Sequence, residues 1–216
     1  MAYGYRRIHS PPFLDGKSAN VFALSCTDNG GVLLCDTRSN AIMHHFQMNA
    51  TAVVYEWDLV SGRCLNKFKD EHSLHLTTFE MSPSVNYDFA RHAFVSAGSR
   101  MGFLNLYPVV SDYDRDTGVP SSSCIQHELV KSYGNLSTAV TSIAHEDSGT
   151  FIAYASEHKR NALRIIHNPS GRVISNWPTE SINLGRVTSL AFAPRLSTLA
   201  VGNRSGKVQL FRIITT

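Results

Sequence analysis

An internal repeat constrains this chain more than any single motif does. Residues 140–213 hold two copies of one pattern laid end to end. The first copy reads VTSIAHEDSG, TFIAYASE, HKRN, ALRIIHN, PSGR, VISNWP, and the second VTSLAFAP, RLS, TLAVGN, RSGK, VQLFRI. Both open on Val-Thr-Ser, at Val140 and Val187, so the period is 47 residues. Each copy then gives a strand containing small residues, a polar turn, and a strand rich in β-branched or aromatic residues. Three or four short strands recurring every ~40–50 residues are the signature of a β-propeller blade.

The rest of the chain repeats that unit less regularly. Residues 1–20 are expected to be irregular, because Pro11-Pro12 and Gly16 interrupt any pattern, although Tyr5 to Ser10 could supply a poor first strand. Clear strands begin at Val21 with VFALSC, VLLCDT and AIMHHFQM, the first two joined across Asn29-Gly30. Asn-Gly between apolar runs is a strong hairpin signal, since both residues tolerate positive φ. AVVYEWDL follows from Ala52 and CLNKFKD from Cys64. Trp57-Asp58 is the dipeptide that closes the third strand of a blade in WD repeats. It stands 22 residues after the equivalent Cys35-Asp36, about half a period, which reads as a blade lacking its inner two strands.

Regular spacing returns with LHLTTFEMSP, HAFVSAGS and GFLNLYPVV. A polar insertion at 110–126, rich in Ser with Pro and Gly, is expected to be a surface loop before HELVKSY, the fourth strand. The expectation is an all-β, incomplete WD-repeat β-propeller of about four and a half blades over residues 21–213, with no long helix. An arc that does not close leaves apolar faces and strand edges bare, so the isolated chain should aggregate unless a partner covers them.

Several functional classes find no support. There is no run of about 20 apolar residues for a membrane span, and MAYGYRRIHSPPF lacks the apolar core of a secretory signal. An intracellular chain is therefore expected, in which the sequons at Asn49, Asn135 and Asn203 carry little meaning. The cysteines, at 26, 35, 64 and 124, fit neither zinc-ligand spacing nor a disulfide framework. DYDRDTG, from Asp112, has Thr117 and Ser123 where a calcium loop needs Gly and Glu. GNRSGK, from Gly202, is a hairpin turn rather than a phosphate loop, because it ends in Lys-Val and opens a strand. His44 and His45 are adjacent in a strand and point to opposite faces, so they cannot share a metal. No nucleophile motif or Cys-His cluster is present, so no enzyme activity, metal, cofactor or small-molecule substrate is expected.

Charge supplies the sharper signal. Residues 158–216 carry 9 Lys or Arg against Glu180 alone, whereas residues 1–157 carry 11 against 16 Asp or Glu. In a blade, the turn between the second and third strands shares a rim with the link into the next blade. That rim would gather Arg100, Lys159, Arg160, Arg204 and Lys207 from three equivalent turns, with Arg186 from a link. Such a basic arc suits phosphate contacts or an acidic protein segment. No aromatic side chains accompany it, so base stacking is not indicated.

At the level of exact words the chain resembles the WD-repeat family of U-three small nucleolar RNA-associated protein eighteen. The resemblance is carried by VVYEWDLVSGRCLNKFKDEHSL (53–74), KSYGNLSTAVTSIAH (131–145), ASEHKRNALRIIHNPSGRVISNWP (155–178) and LAFAPRLSTLAVGNRSGKVQLFRI (190–213). It implies a non-catalytic scaffold subunit of the small-subunit processome, in the nucleolus of the nucleus, supporting processing of the small-subunit ribosomal RNA precursor. Implied partners are other WD-repeat processome proteins, the U-three small nucleolar ribonucleoprotein and pre-ribosomal RNA, in direct or indirect contact. Family members have a longer N-terminal region, with a helicase-recruiting motif, and a ring of about seven blades, so this chain looks like a partial member. The alternative is a WD-repeat interaction module of another pathway that binds peptides on its rim.

Overall fold

In a computed structural model of the chain, the described residues are 5–8, 21–26, 31–36, 41–47, 53–57, 64–69, 75–82, 94–113, 120–125, 129–179, 181–194 and 196–213. Side chains are described for 75–80, 82, 94–108, 129–179, 181–194 and 196–213. The chain divides into two compact units, residues 1–51 with 57–65 and residues 52–56 with 66–216. All the sheets are antiparallel wherever their register is described.

In the first unit, β1 (Tyr5–Ile8), β2 (Val21–Cys26), β3 (Gly31–Asp36) and β4 (Ala41–Gln47) form a four-stranded sheet in chain order. Strand β1 falls within Tyr5–Ser10, where the sequence allows a poor first strand. The Pro pair that argues against order begins only at Pro11, and four residues suffice to pair with the open edge of β2, Tyr5 opposite Cys26 and Ile8 opposite Ala23. β5 (Val53–Trp57) and β6 (Cys64–Lys69) make a two-stranded sheet where the sequence shows only half a unit.

The second unit contains three larger sheets. In the first of them, β7 (Leu76–Met81), β8 (Phe94–Ser99) and β9 (Leu104–Tyr113) run in order. The far side of β9 is shared between β10 (Pro120–Ile125) and β11 (Lys131–Tyr133). β11 pairs with Leu104–Leu106, and β10 pairs with residues 109–113. Within the segment 110–126, residues 110–113 belong to β9 and residues 120–125 form β10. Ser is tolerated in an edge strand, and Pro120 takes the first position of β10, where a missing N–H is least costly.

The second sheet is β12 (Ser142–His145), β13 (Phe151–Ala155), β14 (Leu163–His167) and β15 (Arg172–Val173), with a 3-10 turn at Asn168–Ser170 before β15. The third is β16 (Val187–Phe192), β17 (Thr198–Asn203) and β18 (Val208–Arg212). These are the two repeat copies, with β12, β13 and β14 corresponding to β16, β17 and β18. No helix among the described residues is long and apolar enough to cross a membrane.

Two apolar clusters bind the three sheets. Leu104, Leu106 and Tyr133 of the first sheet pack with Ile143, Ile152, Tyr154 and Ile166 of the second. Phe151, Ala153, Ala155, Leu163 and Ile165 of the second pack with Val187, Leu199 and Val201 of the third. Alternate side chains of a strand point to opposite faces. β13 therefore divides its residues between both clusters, and all five are buried.

The opening triplet of the repeat has a structural job. Thr141 and Thr188 each turn a hydroxyl to the carbonyl at the end of the neighbouring strand, Ala155 at 3.5 Å and Gly202 at 3.3 Å. Thr77 does the same to Gly98 at 3.1 Å. Leu76-Thr77-Thr78 is therefore a third copy of the triplet, and in two of the copies the threonine sits at a register shift, where the ladder alone would leave a carbonyl under-bonded.

Candidate nucleic-acid interface

The turn between the second and third strands recurs in all three sheets. It covers residues 99–103, 156–162 and 203–207. Each turn is tied to a link that leads into a neighbouring strand, so turns and links alternate along one edge. Ser99 O accepts the Val140 N–H at 3.0 Å, which joins the first turn to the link at 134–140. Gly102 is required there: its φ is +89°, and a Cβ would lie 2.3 Å from Leu136 O. Thr138 Oγ1 donates to Ser156 Oγ at 2.7 Å, and Glu157 N donates to Thr141 Oγ1 at 2.9 Å, tying the same link to the second turn.

The next junction is a clamp on Leu184, which is fully buried in the link at 181–186. Its N–H donates to Asn161 Oδ1 at 2.9 Å, and its carbonyl accepts from Asn203 Nδ2 at 3.1 Å. Asn161 sits at φ 56°, the left-handed region that asparagine tolerates better than most residues, and its N–H reaches Gly185 O at 2.8 Å. Asn203 Oδ1 also caps its own turn, accepting from Ser205 N at 3.1 Å and Lys207 N at 3.2 Å. Arg204 N donates to Arg186 O at 2.9 Å.

These bonds place the sequence candidates. Lys159, Arg160, Arg186, Arg204 and Lys207 are exposed on one continuous stretch of backbone-bonded turn and link. Arg100 is exposed on the preceding turn, whose Arg100 N–H reaches His75 O at 3.0 Å. Among the described residues, no ion pair joins any of the six to a carboxylate.

Between the link and the second turn lies a half-open groove of about 220 Å³, lined by Gly134–Ser137, Lys159–Ala162 and Arg164. Arg164 is not among the sequence candidates. It projects from β14 rather than from a turn, and the signal for it is a lone charge inside the apolar run Leu163–Ile166. Its Nη1 donates to Leu163 O at 2.7 Å, which holds the guanidinium at the groove wall. Beneath it, burial pushes the Tyr154 phenol well above its usual range, while the Arg164 charge acts the other way. The Tyr154 hydroxyl faces Asn135 Oδ1 at a long 3.5 Å. Cations and neutral amides around a small open groove can hold an anion.

No family model matches the chain. Individual relatives do match. The chain is 33% identical over 175 residues to U3 small nucleolar RNA-associated protein 18 of Saccharomyces cerevisiae, covering 77% of this chain and 28% of that protein. The Homo sapiens homolog is 34% identical over 164 residues, 74% of this chain and 26% of its own length. The Mus musculus homolog is 30% identical over 187 residues, 85% of this chain and 30% of its own. The chain thus spans between a quarter and a third of the length of these relatives. Over that shared part, it is a homologue of the proteins named U3 small nucleolar RNA-associated protein 18.

Proposed function

We propose that this chain is part of a non-catalytic scaffold of the small-subunit processome, supporting processing of the small-subunit ribosomal RNA precursor in the nucleolus. Its partners in this reading are other WD-repeat proteins of that assembly and the U3 small nucleolar ribonucleoprotein, with pre-ribosomal RNA contacted directly or through them. The kinship with proteins named for U3 RNA, over most of this chain, carries the reading. The basic edge supports it, because phosphate neutralisation by Lys and Arg releases counterions and drives sequence-independent RNA binding.

The same reading treats the sheets as blades of an incomplete WD-repeat β-propeller. Its supports are the repeated strand order, the turn-to-link bonding in the second unit and the half-unit at β5 and β6. Scaffolding fits a site built of cations and amides, which positions an anion without transferring a proton. The test is affinity purification of the endogenous, full-length protein through a tag. Recovery of U3 RNA and WD-repeat proteins is expected. Recovery of neither would sink the reading, and salt-insensitive capture of a short peptide would replace it with a peptide-binding module of another pathway.

A further inference from the structure

We propose that the groove bounded by residues 134–137 and 159–164 seats the phosphodiester backbone of RNA, gripped by Lys159, Arg160 and Arg164. This deepens the reading above by naming the part of the RNA that the edge takes and the residues that take it.

Comparison of the equivalent turns singles out this place. The turns at 99–103 and 203–207 have five residues, whereas the turn at 156–162 has seven. The longer turn carries Lys159 and Arg160 outward, both exposed. On the following strand, Arg164 pairs with Tyr154 just as Gln209 pairs with Val201 one repeat later. Gln209 spends its amide on the link, donating to Asn183 O at 3.1 Å. Among the described residues, Arg164 instead bonds only its own strand, at Leu163 O, which leaves most of its five donors for a ligand. A guanidinium held at one N–H and open at the rest is suited to bidentate recognition of phosphate oxygens.

The remaining lining decides between anions. Asn135, Ser137 and Asn161 are neutral, and no carboxylate is among the lining residues that surround the three cations. Leu136 and Ala162 are buried members of the core cluster, so the groove offers no free apolar pocket for a peptide side chain. It also has no aromatic ring in its lining on which a base could stack. The groove, about 220 Å³, is half-open rather than an enclosed pocket, so it presents its cations to a group lying along the surface. Arg100 lies on the turn before it, with Arg186, Arg204 and Lys207 beyond it, so further cations lie ahead and behind along the same edge.

The test uses the full chain and a fluorescent, unstructured single-stranded RNA of about twelve uridines, titrated at several salt concentrations. Lys159→Gln with Arg160→Gln should weaken binding at least tenfold at low salt. The slope of log affinity against log salt should shrink by about 1.4, at about 0.7 for each single-strand phosphate that is no longer neutralised. Arg164→Gln should weaken it separately, and Arg164→Lys should not restore it. Arg212→Gln removes an exposed cation away from the groove and should change affinity less than twofold. Unfolding midpoints of Lys159→Gln with Arg160→Gln should match the parent, because both side chains are exposed.

The proposal is overturned if the double variant binds like the parent, or if Arg212→Gln costs as much. It is also overturned if a polyglutamate peptide binds as tightly as the RNA at equal salt. Failure of the parent chain to bind RNA would overturn it too, yet would leave co-purification of U3 RNA through protein neighbours intact, so the two readings fail separately.

Discussion

β13 and β17 are the same strand of two successive repeats, and they are buried differently. In β13 all five residues from Phe151 to Ala155 are buried, because sheets cover both of its faces. In β17 burial alternates, with Leu199, Val201 and Asn203 inside and their neighbours half-exposed. The uncovered face continues onto β18, where Val208 and Leu210 are 69% and 70% exposed. A repeat thus specifies a strand and a turn but not the environment of either. The neighbouring sheet supplies that, and it turns one pattern into a core in the second sheet and a one-sided surface in the third.

The doubly covered strand β13 is the most sensitive place in the fold. Ile152→Ala should cost about 2–5 kcal/mol, because it opens a cavity between two packed sheets. Urea unfolding of the full chain measures this.

A charge difference between the same sheets should show in pH dependence. His145 ends β12, and Phe192 holds the equivalent place at the end of β16. Burial lowers the His145 pKa from 6.5 to about 4, and its Nε2 has no hydrogen-bond partner among the described residues. The unfolded chain therefore takes up the proton first. Stability from this group is full above about 6.5 and falls by about 1.4 kcal/mol per pH unit as pH drops toward about 4. His145→Phe, which installs the residue of the third sheet, should flatten that stretch of the stability–pH curve. An unchanged slope would assign it to other groups.

The clamp on Leu184 joins the two repeats, and its loss should cost somewhat less. Asn161→Ala leaves a buried N–H unpaired and forces alanine to φ 56°, a loss of about 1–3 kcal/mol. Asn161→Gly keeps the backbone conformation and should recover part of it. Asn203→Ala should be coupled to Asn161→Ala rather than additive, because both hold one peptide group. At the small end, Leu210→Ala on the open face should change stability by less than about 0.5 kcal/mol.

Much of this is legible in the sequence, and the parts that are not share a cause. Strand positions and the shared edge of the basic turns follow from local pattern: β-branched alternation, Asn and Gly at turns, and a fixed period. The strand at 120–125 is hard to see because Ser and Pro disfavour strands on average, whereas an available edge on β9 decides the outcome. Thr77 is hard to see as a member of the repeat because its copy begins with Leu rather than Val. Arg164 escapes notice because a charge inside an apolar strand gains its meaning from what lies across the link, which no local window contains. The clamp on Leu184 is likewise invisible in sequence, since Asn161 and Asn203 look like ordinary turn residues until their partner is known.

The clamp on Leu184 aligns the second and third turns and their cations along one edge. Hydrogen exchange at the Leu184 amide in the full chain tests it most directly. Protection comparable to the amides of β13 is the expected result. Exchange as fast as at the exposed Lys159 would show that the link is not held, and that the basic turns are separate surface features rather than one binding edge.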